Sequence, residues 1–168
     1  MSEAKGKKFL DSYGGQTVDQ LIAMESDYRI DSLVLAFEGA LLQKQEKKKL
    51  SRIELDILAV EAMEREVNNG GYHQFFLNSS KKFAAILPSS LERIGCPAAA
   101  KITSDALAYL KISGDVTVAK IDAALDRLGD KAITDLGKMD NRYFQNKEAI
   151  ADKLFTYIKA NKGEIVLK

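Results

Sequence analysis

The sequence predicts an all-α fold, a single-domain bundle of about seven or eight helices. Apolar residues recur at helical spacing, as in the stripe from Ile30 to Leu41 at positions i, i+3, i+4, i+7 and i+11. Capping sequences precede several such stripes. No stretch alternates apolar and polar residues for long enough to indicate a sheet.

Two capping boxes predict helix starts in the first third of the chain. Thr17-x-x-Gln20 opens a short helix, and Ser51-x-x-Glu54 opens the third helix. The helix between them ends near Lys47–Lys49, where cations interact favourably with the helix dipole. Three lysines at a turn make no extended patch, so we expect no direct nucleic-acid binding.

The third helix is expected to end at a corner, Asn68-Asn69-Gly70-Gly71. Its buried face is predicted at Ile53, Ile57, Val60, Met63 and Val67. Glycine adopts the left-handed conformation that ends many helices without a steric penalty. We therefore expect a positive φ at Gly70 or Gly71.

Prolines and a threonine mark the later helices. Pro88 predicts a kink or a new helix, because proline disrupts a helix interior, and Pro97 suits the first turn of the next helix. Thr117 is a predicted cap. The expected buried sides are Ile102, Ala106, Tyr109 and Leu110, then Val118, Ile121, Leu125 and Leu128, then Ile150, Leu154, Tyr157 and Ile158.

Length and composition indicate an ordinary globular protein. The chain has 168 residues, with 46% hydrophobic and 29% charged residues. We expect a loose tail over residues 1–12 and one all-helical domain over residues 13–168. The absence of a long apolar run or an apolar signal core argues against a membrane partner. The only cysteine, Cys96, allows no intrachain disulfide, which favours the cytoplasm.

Catalytic and metal-binding motifs are absent from the sequence. One histidine, His73, and one cysteine, Cys96, are too few for a zinc site. A triad built from His73 with Ser79 or Ser80 would lack the nucleophile elbow and the oxyanion hole. We predict no catalytic residues, no metal and no cofactor, which favours a non-enzymatic protein.

The sequence VNNGGYHQFFLNSS, residues 67–80, resembles the signature of the DNA-mimic-protein family, a group largely classed as a domain of unknown function. The resemblance extends roughly from Tyr13 to Phe144. Its other parts are two long helices before the signature at Tyr28–Lys44 and Leu58–Gly71, a helix–turn–helix at Leu91–Ile102, and a late Asp-x-x-aromatic element at Met139–Phe144. The best-known member is an acidic dimer that imitates double-stranded DNA and binds a transcription factor. The resemblance therefore implies an all-α fold, a homodimer and a protein partner, for example a DNA-binding protein.

The charge balance limits such mimicry to local surfaces. With 25 basic and 24 acidic residues, the formal net charge is +1, whereas duplex DNA carries about one charge per 1.7 Å of axis. Two segments, Thr17–Gln43 and Glu54–Glu66, each contain five acids and one base. We select as candidate binding residues Asp27, Asp31, Glu61 and Glu64. The alternative is that these acids form solvated helix faces, since Glu61 and Arg65 make an ordinary i,i+4 pair.

A second candidate surface lies in the signature, at Tyr72, His73, Gln74 and Asn78. Aromatic and amide side chains suit a partner surface or a pocket. They also suit a purely structural corner, in which the Asn69 and Asn78 amides bond helix-end backbone groups. The favoured hypothesis is a protein-binding module that occupies the surface of a regulator, nuclease or toxin. The alternative is a small-ligand binder or enzyme with a polar pocket at Tyr72–Asn78.

Overall fold

The computed structural model describes residues 6–168 and confirms the all-α class. This part of the chain forms eight α-helices and no strand. The helices are α1 (Val18–Ala23), α2 (Ile30–Gln45), α3 (Arg52–Leu77), α4 (Leu87–Arg93), α5 (Pro97–Tyr109), α6 (Val118–Leu128), α7 (Lys131–Gln145) and α8 (Ile150–Ala160). Short 3₁₀ turns lie at Met24–Ser26, Ser79–Phe83 and Lys162–Glu164.

The predicted N-terminal tail is only partly described. Its residues 1–5 lie outside the described part of the chain. Lys8 forms an isolated parallel bridge with Tyr28. The Lys8 N–H donates to the Asp27 carbonyl at 2.9 Å, and the Arg29 N–H donates to the Lys8 carbonyl at 2.8 Å. The Lys8 backbone is therefore hydrogen-bonded to the segment before α2.

Packing divides the chain into two compact units. Unit 1 contains residues 6–58 and Ile150–Lys168, and unit 2 contains Ala59–Ala149. The predicted single all-helical domain over residues 13–168 thus contains two units that pack internally, and α3 contributes residues to each.

Unit 1 is built around the contact between α2 and α8. Four of the five residues of the predicted α2 stripe are buried, and α8 contributes Leu154, Phe155 and Ile158 to the core. Both predicted capping boxes are present: Thr17 and Gln20 exchange hydrogen bonds at the start of α1, as do Ser51 and Glu54 at the start of α3. The capped helix starts fix where each apolar stripe begins.

Unit 2 contains the rest of α3 and helices α4 to α7. Helix α5 packs against α4 and α7. Pro88 and Pro97 lie in the first turns of α4 and α5, as predicted. The side chains of Tyr72, Phe75 and Phe76 are fully buried, so both phenylalanines of the doubled pair belong to the core.

One predicted core position in unit 2 is wrong. Val118 is 42% exposed, although Thr117 does cap α6 by accepting from the Lys120 N–H. Val118 is the first residue of α6, and the buried side of this helix begins one turn later with Ile121.

Candidate functional site

The signature lies where the backbone of α3 is interrupted. Gly70 has φ −161° and ψ 19°, and Gly71 has φ 75° and ψ −174°, both outside helical values. The predicted positive φ is therefore confirmed at Gly71. That the interruption forms a corner between two helix axes stays a prediction.

Gly71 is required for two separate reasons. Its φ lies in the left-handed region, which strains residues with a Cβ atom. In addition, a Cβ built on Gly71 would lie 2.5 Å from Cγ of Asp140 and overlap its carboxylate. A glycine at this position thus lets the backbone approach Asp140 of α7 closely.

Asp140 bonds the backbone directly after the interruption. Its Oδ1 accepts a hydrogen bond from the Tyr72 N–H at 2.7 Å. The pKa of Asp140 is raised, because burial disfavours the carboxylate more than the Tyr72 N–H and the nearby His73 stabilise it. Asp140 belongs to the late Asp-x-x-aromatic element, so this element and the signature meet in unit 2.

The aromatic residue of that element, Tyr143, makes a second connection to α3. Its hydroxyl donates a short hydrogen bond to the Glu64 carboxylate. Burial raises the pKa of Glu64, although the Tyr143 bond opposes the shift. Burial and the Glu64 charge likewise raise the pKa of Tyr143, which keeps the donor protonated. Residues three apart in α7 therefore hold α3 on both sides of the interruption.

Glu66 organises the polar side chains of the signature. Its Oε2 accepts from Gln74 Nε2 and Asn78 Nδ2, and its Oε1 accepts from the Ser80 hydroxyl, each at 2.9 Å. Glu66 is only 8% exposed. Burial by itself would raise the pKa of Glu66, but the three donors together lower it, so the group stays ionised.

The Tyr72 side chain is internal. Its ring contacts Phe76 and Tyr143 at centroid distances of 6.3 and 6.2 Å. Its hydroxyl bonds the buried Thr103 hydroxyl at 2.8 Å. Burial raises the pKa of Tyr72. The hydroxyl thus completes a buried pair and does not reach the surface as a polar tip.

Most polar groups of the second candidate surface are therefore hydrogen-bonded within the protein. The half-exposed Gln74 and the exposed Asn78 direct their amides to Glu66, and the His73 side chain is half-exposed. The expected bond from the Asn78 amide to helix-end backbone is wrong, because the buried Glu66 carboxylate is a charged and stronger acceptor.

The four candidate acids differ in exposure. Asp27 is exposed, and Asp31 forms an ion pair with Arg29 at side-chain exposures of 45% and 55%. Glu61 is only 4% exposed, and Glu64 is half-buried against Tyr143. Glu61 therefore does not lie on an open acidic face, and the binding role of the four acids stays a prediction.

Sequence reasoning did not single out Glu66 or Asp140 as site residues. One signal was available, since a signature with two amides and a serine requires an acceptor when it is buried. No spacing rule connects Asp140 to Tyr72, because 68 residues separate them.

Two other features are absent from residues 6–168. None of the His, Cys, Asp and Glu side chains there form a group of three or more that could hold a metal ion. No helix in the same range combines the length and hydropathy required for a bilayer crossing.

Comparison with protein families gives a match over most of the chain. The family model described as DMP19-like protein matches residues 48–161, well over half of the sequence. The chain belongs to the DMP19-like protein family. This is a family of DNA-mimic proteins. No match was found among curated proteins or solved structures.

The matched range of the DMP19-like family contains the site described above. Residues 48–161 include the signature, Glu64, Glu66 and the element with Asp140 and Tyr143. Asp27 and Asp31 lie before it. The earlier resemblance of Tyr28–Lys44 to a family helix therefore lies outside the matched range.

Proposed function

We propose that this DMP19-like protein is a non-enzymatic protein-binding module that occupies the surface of a regulator, nuclease or toxin. The observation that carries the proposal, besides family membership, is that the polar groups of the signature are bonded inside unit 2. Tyr72 bonds Thr103, and Gln74 and Asn78 bond Glu66. A ligand pocket at Tyr72–Asn78, the alternative function, would need these same groups.

The proposed contact surface is the acidic segment Asp19–Asp31 of unit 1. Asp19 and Asp27 are exposed, and Glu25 and Asp31 are partly exposed. Three of these acids pair with bases: Asp19 with Lys162, Glu25 with Lys159, and Asp31 with Arg29. Exposed pairs of this kind contribute little stability, so a basic partner can compete for the carboxylates.

The segment Glu54–Glu66 is not part of this proposed surface. Glu54, Asp56, Glu61 and Glu66 are all buried. Their carboxylates are therefore not offered to a partner at the surface. Mimicry of DNA is thus proposed only over a short stretch and with few charges.

The experiment is affinity capture from the native cell with quantitative mass spectrometry. We expect the full chain to enrich a protein with a basic surface, and the double variant Asp27→Lys, Asp31→Lys to lose it. The matched control is Asp126→Lys, Asp130→Lys, which makes the same charge change at exposed positions of unit 2 and should retain the partner. Equal enrichment of the partner by both variants would exclude Asp19–Asp31 as the contact surface. Capture of no protein would contradict the proposal that this protein is a protein-binding module.

A further inference from the structure

A concave site in unit 1 gathers lysines that are distant in sequence. The cavity has a volume of about 340 Å³. Its lining includes Tyr13, Lys44, Lys47, Lys48, Leu167 and Lys168. No acidic side chain is among the lining residues in the described part of the chain. The basic run after α2, too short for a patch by itself, becomes one wall of a pocket when the end of the chain packs beside it.

A buried carboxylate assembles this pocket. Glu54 is 1% exposed and accepts from Lys44 Nζ at 2.7 Å, from the Ser51 N–H at 2.9 Å and from the Val166 N–H at 2.9 Å. One side chain therefore connects the end of α2, the start of α3 and the segment that carries Leu167 and Lys168. Lys44, whose side chain is 10% exposed, is fixed by the same contact.

The remaining lysines are solvent-exposed, although one of them, Lys48, also donates a hydrogen bond. Lys47, Lys48 and Lys168 are exposed. Lys48 Nζ lies 3.5 Å from the Lys168 carbonyl oxygen, which places these two residues side by side. Leu167 is 7% exposed, and Tyr13 is half-buried beside the lysines. The pocket thus combines a cluster of cations with an aromatic and an aliphatic surface.

We infer that this cavity binds a phosphorylated small molecule with a flat apolar body, the chemistry of a nucleoside diphosphate. Lysine ammonium groups bind phosphate oxygens as point charges. The volume lies at the lower end of the range of roughly 300–1,000 Å³ found for small-molecule sites. The Tyr13 ring and Leu167 provide the apolar contact for a base, and Lys47, Lys48 and Lys168 face the phosphates. The inference does not depend on the proposed protein partner.

The test is calorimetric titration of the full chain with ADP, inorganic pyrophosphate and adenosine at physiological salt. We expect saturable binding of one ADP per chain, with pyrophosphate and adenosine each weaker by about tenfold or more, since both halves of the ligand contribute. Lack of saturable ADP binding would overturn the inference. So would a pyrophosphate affinity equal to that of ADP, which would indicate attraction by charge alone.

Two double variants test whether ADP binds in this cavity. Lys47→Gln, Lys48→Gln should weaken ADP binding by about tenfold, because two phosphate contacts are lost. Lys131→Gln, Lys138→Gln removes the same charge from α7, where both lysines pair with Asp135, and should leave the affinity unchanged. An equal loss in both double variants would show that net charge, and not this cavity, attracts the nucleotide.

Discussion

At the scale of single residues, Gly71 tolerates a side chain poorly for two reasons. Left-handed strain and overlap with the Asp140 carboxylate both act there. We expect Gly71→Ala to lower the free energy of unfolding by about 1–3 kcal/mol. Chemical denaturation measures this change.

Gly129 is the matched control for this substitution. It also has a positive φ, 56°, but nothing lies within 4 Å of a Cβ built on it. Gly129→Ala should therefore report the strain alone and cost less than Gly71→Ala. Equal losses at the two positions would contradict the proposed overlap with Asp140.

Glu66 and Glu64 should respond to pH in opposite directions. The pKa of Glu66 is lowered in the folded protein, so its stabilisation is present above the unfolded pKa of about 4.3 and is lost as pH falls through the folded pKa. Glu66→Gln should cost about 1–3 kcal/mol at pH 7, because an amide faces the donors of Gln74 and Asn78. This deficit should shrink in acid.

The pKa of Glu64 is raised instead. Wild-type stability should therefore fall as pH rises from about 4.3 through the folded pKa, while Glu64→Gln avoids this loss and keeps an acceptor for Tyr143. As pH rises through this range, the free energy of unfolding of Glu64→Gln should therefore increase relative to that of wild type. Denaturation curves at pH 4 and pH 7 check both signs, with the exposed Glu92→Gln as control. The same pH trend in both variants would contradict the assigned environments.

At the scale of elements, α7 holds the interruption in α3 through Asp140 and Tyr143. Asp140→Ala removes the acceptor of the Tyr72 N–H and should cost about 1–3 kcal/mol. It also removes the carboxylate that a Cβ on Gly71 would meet. The double variant Gly71→Ala, Asp140→Ala should therefore lose less than the sum of the two single losses. Additive losses, measured by denaturation in all four proteins, would contradict the coupling between α3 and α7.

Sequence reasoning predicted these elements well where local rules decide them. The boxes at Thr17 and Ser51, the prolines at 88 and 97, and the glycine at 71 each act within one helical turn, and each was placed correctly. The burial and the contacts of individual side chains were predicted less well. Charge does not reveal whether a helix face is buried, so the acids of Glu54–Glu66 were expected at the surface, although Glu61 and Glu66 are buried.

The candidate site shows the same limit. The sequence pointed to Tyr72, Gln74 and Asn78, and the structure does place Gln74 and Asn78 on a common acceptor. It did not indicate that this acceptor is Glu66, nor that Asp140 bonds Tyr72. The Asp140–Tyr72 contact depends on the packing of α3 with α7, and the Glu66 contacts depend on the interruption in α3; a single sequence specifies neither.

At the scale of the whole molecule, a net charge of +1 provides no long-range attraction for a basic partner. Any steering must come from local fields such as that of Asp19–Asp31. At physiological ionic strength, dissolved salt screens the field of exposed charges over a distance of about 8 Å. Association with the captured partner should therefore slow as salt is added.

Reversal at Asp27 and Asp31 should lower the association rate constant and flatten its dependence on salt, with little change in the dissociation rate, because exposed charges act mainly on the encounter. The fold should be retained, since the Arg29–Asp31 pair is exposed and contributes little stability. The control reversal at Asp126 and Asp130 should leave the salt slope as in wild type, because these residues lie in unit 2 and outside the proposed surface. Stopped-flow association at several salt concentrations measures the slope. An unchanged slope in the Asp27, Asp31 variant would exclude acidic mimicry by unit 1. It would leave the half-exposed His73 and Gln74 of the signature as the next positions to substitute.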